Sequence, residues 1–177
     1  MLEEIQNLDL RELLKEAKRK ECYEAYLKFF NLESEILRYI SPFFDINEIK
    51  LTEMFMETVA VKMKIVAQTE EEKKLAEDYS TLYIILLYQR KKLEEILNQL
   101  NFEEQNKMNL YKKIILQLYG GFENFKEVRK FTISVIERLL EFGRDSKLMN
   151  YHIKGALNFE KRYYREVSKL VFGKEIL

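Results

Sequence analysis

The sequence predicts an all-α protein, a bundle of six or seven helices packed around one long central helix near residues 70–99. Three observations predict it. Only 5 glycines and 1 proline punctuate 177 residues, too few breakers for a turn-rich β fold. Five pairs have the spacing of a capping box, in which each side chain satisfies the other's free backbone donor: Asp9 with Glu12, Asp45 with Glu48, Thr69 with Glu72, Asn101 with Glu104 and Asn124 with Glu127. Apolar residues then recur at steps of three and four behind each start. With 47% hydrophobic residues the chain can bury a real core, and it reads as one helical domain, 1–177.

The elements follow in order. Asp9 opens a helix over 9–30, and a second is expected over 33–40, the two being separate or one helix bent near Asn31. Pro42 in "SPFFD" ends this region, because it disfavours a helical Ser41 and removes a donor. The next helix, 46–67, contains "FMETVAVKMKIVA", whose Phe55, Val59, Val61, Met63 and Ile65 alternate as in a strand. A lone strand would have no partner for its backbone, so a helix is expected here too.

Thr69 opens the central helix, 70–99. Leu75, Tyr79, Leu82, Leu86, Gln89, Leu93, Ile96 and Leu100 form its seam. Tyr83, Ile84, Ile85, Leu87 and Tyr88 make its middle apolar on every side. Its length of roughly 45 Å calls for cover from neighbours or a second copy, so a homodimer is expected. Helices over 102–119 and 125–142 end at Gly120–Gly121 and Gly143, glycines suited to left-handed caps. The last helix is expected over 146–172.

Composition narrows the function classes. Net charge is zero, yet residues 1–100 carry 20 acids against 15 bases, and residues 101–177 carry 10 acids against 15 bases. Such an asymmetry can orient a partner or pair subunits. The longest apolar run, "LYIILLY" at 82–88, is far short of a membrane span of about 18–20 residues. The acidic "MLEEIQNLDLREL" does not resemble a signal peptide. Cys22 is the single cysteine. The expectation is a soluble cytoplasmic protein with no membrane partner.

Metal and cofactor chemistry find no motif. One histidine and one cysteine cannot build a di-iron or structural zinc site. There is no G-x-G-x-x-G, no P-loop and no nucleophile elbow. The acids Glu70, Glu71 and Glu72 suit a helix start, where the dipole favours them. No cofactor, no metal and no catalytic residue are assigned.

The lone histidine lies in "YHIKGALNFEKRYYREVSKL", residues 151–170. "HIKG" faintly resembles the phosphoacceptor segment of histidine phosphotransfer domains, but places lysine and glycine at +2 and +3, where that family has them at +3 and +4. On a helix Lys154 then points about 200° away from His152. Arg144 with His152 slightly resembles the Arg–His motif of HEPN-type ribonucleases, with seven intervening residues instead of four to six. Both departures set the enzymatic reading aside.

The stretch reads instead as a divided helix. Met149, Ile153, Ala156, Leu157, Tyr163, Tyr164, Val167, Leu170 and Val171 make an apolar face. Opposite runs a row without acids: Arg144, Lys147, Tyr151, Lys154, Asn158, Lys161, Arg165 and Ser168, widened by Arg162 and Lys169. A basic row with an aromatic can track a nucleic-acid backbone. Two polar residues interrupt apolar surfaces: Glu160 in the last helix, with Arg138 as a candidate partner, and Gln89 in the central seam. The functional expectation is a non-catalytic adaptor or scaffold that contacts itself or another helical protein. The alternative is a nucleic-acid-binding accessory subunit using the 144–169 row.

Overall fold

The computed structural model describes residues 4–5, 7–41, 54, 58–59, 62–100, 106–142 and 147–176. Every regular element among them is helical, and the all-α expectation holds. In chain order these are α1 (Leu10–Ala17), α2 (Lys20–Ile40), α3 (Glu70–Gln99), α4 (Lys107–Tyr119), α5 (Phe122–Phe142) and α6 (Lys147–Val167), which runs into a π-helical turn, Ser168–Phe172.

The starts show how the caps work. Asp9 accepts from the Arg11 amide at 3.0 Å. At α3 the box is reciprocal but stretched. Thr69 Oγ1 accepts from the Glu72 amide at 3.1 Å, while the Glu72 carboxylate reaches the Gln68 amide at 2.9 Å. α4 starts later than its spacing predicted: Asn106 is the cap, accepting from the amides of Met108 and Asn109. The pairs Asp45–Glu48 and Asn101–Glu104 lie outside the described residues, as do Pro42 and Gly143. Asn124 is a correction. Gly120 closes α4 in the left-handed conformation at φ +75°, and α5 begins at Phe122, so Asn124 and Glu127 already lie inside the helix.

The first helical region also departs from expectation. It breaks at Lys18–Arg19, where Arg19 is extended and its guanidinium meets Glu94 of α3 at 2.7 Å, and α2 then runs unbroken through Asn31. In the alternating segment, residues 58–59 and 62–66 are helical. Val59 and Met63, four apart, are buried, whereas Ile65 is 78% exposed. A strand would have put all three on one side, so the helical period prevails.

Contacts group the chain into two compact units: Met1–Ile46 with Ile84–Asn124, and Asn47–Tyr83 with Phe125–Leu177. α3 supplies its N-terminal half to the second and its C-terminal half to the first. No residue of α3 from Asp78 to Glu94 is exposed, so the apolar middle of this helix is covered within the chain.

In the first unit, Phe29 of α2 stacks on Tyr111 of α4 with centroids 6.0 Å apart, and Cys22 is buried beneath α3 with Sγ 3.4 Å from the Arg90 carbonyl oxygen. Burial pushes the Cys22 thiol up, which keeps it protonated. In the second unit, Phe125 of α5 is fully enclosed, 5.2 Å from the Tyr164 ring and 5.1 Å from Phe172. The π turn brings Phe172 there. It is closed by Gly173 at φ +63° and by the Ser168 hydroxyl, which donates to the Lys174 carbonyl at 2.6 Å.

Candidate functional site

The sequence divides α6 into an apolar and a basic side, and the second unit keeps that division. Ile153, Ala156, Leu157, Phe159, Tyr164 and Val167 are buried. Phe159 belongs to this face although the apolar count omitted it; its ring stacks 6.0 Å from Tyr163. On the opposite side Tyr151, Lys154, Asn158, Lys161 and Arg165 are all exposed, as their spacing requires. Lys169 is exposed and Arg162 half-buried. Ser168 is a correction: the π turn swings it inward, and it is fully buried. Arg144 lies outside the described residues, and Lys147 is placed as the first residue of α6.

Tyr151 is 75% exposed, and its ring meets His152 edge-on at 5.6 Å. His152 is itself exposed beside the row. The cations are less available than the row alone implies, because carboxylates from α5, from α6 itself and from the residues after it reach them. Lys161 lies 3.6 Å from Glu137 of α5, Arg165 3.4 Å from Glu166, and Lys169 3.8 Å from Glu175. Such exposed pairs are worth about 0.2–1 kcal/mol each. They matter here for the sign of the surface: it carries both charges.

The buried polar candidates separate. Glu160 is buried at 8% exposure, as its place in the apolar face requires. Arg138 does not serve it. The Arg138 guanidinium donates to Asp78 of α3 at 2.6 Å, and Lys74 lies 3.2 Å from the other oxygen of that carboxylate. The Glu160 charge acts on Tyr79, whose hydroxyl is pushed well above the usual tyrosine range, first by burial and then by that carboxylate. Gln89 is half-buried, and its enclosed Nε2 makes no hydrogen bond among the described residues.

Two features escaped the sequence reading. Glu33 is buried at 7% exposure and accepts a hydrogen bond from the Tyr111 hydroxyl at 2.8 Å. On α5, Glu127, Lys130, Ser134, Glu137 and Glu141 are all exposed. Their steps of three and four make a predominantly acidic row, which the same count applied to α5 would have found.

Among the described residues no group of three or more His, Cys, Asp or Glu could hold a metal ion, and no helix is long and apolar enough to cross a membrane. Comparison with protein-family models, with curated proteins and with solved structures returns no match.

Proposed function

We propose that the chain is a non-catalytic helical adaptor that acts through protein–protein contacts and self-associates. One observation carries this reading: the outer surface of α5 and α6 sets an exposed aromatic, Tyr151, among side chains of both signs. Tyrosine and arginine are the side chains that interfaces concentrate, and opposite charges around them select the partner and its orientation. A surface built to hold phosphates would instead leave its cations open. A cytoplasmic setting belongs to the same reading, since the one thiol is buried and protonated rather than paired. The test is sedimentation equilibrium of the full chain at about tens of micromolar, alongside retention on heparin and RNA. Self-association without retention is the expected result; a monomer retained on RNA would overturn it.

A second reading keeps the nucleic-acid alternative, on the exposure of Tyr151, Lys154, Asn158, Lys161 and Arg165 along one side of α6. A base can stack on the tyrosine and phosphates can follow the cations. Each phosphate contact would add about −0.9 to the salt slope on duplex DNA and about −0.7 on single strands. Under this reading, changing Lys147, Lys154, Lys161 and Arg165 together to Gln flattens the slope by roughly 3 units without lowering the melting temperature.

A further inference from the structure

The acidic row of α5 and the cationic row of α6 have the same spacing. Glu127, Lys130, Ser134, Glu137 and Glu141 advance by three and four residues, as do Tyr151, Lys154, Asn158, Lys161 and Arg165. Rows with this step form straight ridges that a facing helix can follow. The rows also share one surface, because Lys161 and Glu137 pair across it at 3.6 Å. The two helices are antiparallel there: Glu137 meets Lys161, while the earlier Phe125 meets the later Phe172. The Glu137–Lys161 contact sets a register that places Glu141 level with Leu157 and Glu127 level with Val171.

We infer that this surface is the contact between two copies of the chain, related by a two-fold axis running along the α5–α6 pair. The inference rests on the self-association reading above and names its site. A closed dimer needs a patch that complements itself, and this patch holds both halves of the complement. An axis along the helices lays α5 of each copy on α6 of the other, antiparallel and in the register of the internal pair. Glu141 then comes within one turn of the partner's Lys154, and Glu127 within one turn of the partner's Lys169. A two-fold axis across the helices would instead lay α5 on α5, acid on acid. Lys130 is the one cation in the acidic row, and it follows Glu127 by three residues. Glu141 and Lys154 are both exposed, and neither has an ion-pair partner among the described residues. These two are left to meet across the axis, and the symmetry uses each of them twice.

The experiment is sedimentation equilibrium of the full chain and of Glu141→Lys, Lys154→Glu and their one-to-one mixture, at about 50 mM and about 1 M salt. The expected wild-type result is a dimer at low salt that dissociates at high salt, as screening removes the attraction. Each single reversal places two like-charge contacts in the dimer and weakens it about tenfold or more, while the mixture restores association by pairing reversed rows. Unchanged thermal melts keep a folding defect apart from an interface defect. A wild-type monomer at both salts would overturn this surface and the self-association reading together. A dimer indifferent to salt or to both reversals would overturn the surface alone. Reversals that dissociate the dimer without rescue in the mixture would overturn the charge pairing.

Discussion

Among the described residues, each unit buries one glutamate in a helical face, and the two meet a tyrosine differently. In the first, Glu33 of α2 is 7% exposed and accepts the Tyr111 hydroxyl at 2.8 Å, beside the Phe29–Tyr111 stack. In the second, Glu160 of α6 is 8% exposed and bears on Tyr79, whose ionisation it opposes. A buried carboxylate is tolerated only where neighbouring groups answer it. Tyr111 answers by donating a proton to a hydrogen bond. Tyr79 keeps its proton first because it is itself buried, and the Glu160 charge adds to that. The same pair of residue types thus meets once through a hydrogen bond and once through charge.

The largest effect should come from removing the aromatic centre of either unit. Phe29→Ala and Phe125→Ala each leave a cavity among buried rings, and each should cost about 3–5 kcal/mol. Under the single-domain reading of the sequence, both variants lower one common calorimetric transition, because α3 contributes to both units. Two separate transitions, with each variant lowering only its own, would divide the chain into independent domains.

Next comes the anchor. Tyr111→Phe keeps the ring stack but withdraws the donor from a buried carboxylate, and should cost about 1–3 kcal/mol in denaturant unfolding. A loss below about 0.5 kcal/mol would mean that water or another group answers Glu33 equally well.

The Tyr79 comparison is sharpened by pH. Its folded pKa lies above the unfolded value of about 10, so its proton is held longer in the folded state. The contribution is complete below pH about 10 and is lost as pH rises beyond it, at up to about 1.4 kcal/mol per pH unit. The wild type should therefore lose stability relative to Tyr79→Phe as pH rises from about 10 to about 11. A wild-type-minus-variant stability difference that stays constant over that window would show that Tyr79 ionises alike in both states.

Much of this was legible in the sequence, and the failures have physical causes. α3 was found at both ends, because Thr69 and the glutamates after it signal the start and the steps of three and four, Gln89 included, continue to the end of the helix at Gln99. Glu160 was visible because it interrupts an otherwise apolar face. Glu33 was not, because a break placed near Asn31 made it a first-turn acid, where a glutamate is favoured. The real break, at Lys18–Arg19, carries neither Gly nor Pro and is tied to the distant carboxylate of Glu94, so no local signal marks it. Ser168 was misplaced for a related reason. A count at 100° per residue fails where the helix widens to a π turn, and the closing bond to Lys174 is formed only once the chain folds back. The sign of the α6 surface was half legible: the cations were counted correctly, but Glu137 comes from a different helix.

The smallest effect should fall on His152. It is exposed, it touches the Tyr151 ring edge-on at 5.6 Å, and it lies outside the rows whose charges the dimer would pair. The imidazole sits on the exposed side of α6, next to a tyrosine that is itself 75% exposed. His152→Gln keeps a polar side chain of similar reach, so stability should change by less than about 1 kcal/mol. Self-association should be unchanged at low salt, in contrast to Lys154→Glu two positions along the same helix. Measured side by side by sedimentation, the two variants separate proximity to the surface from participation in it. A His152→Gln chain that melts normally but no longer associates would move the contact from the charged rows to the Tyr151–His152 pair.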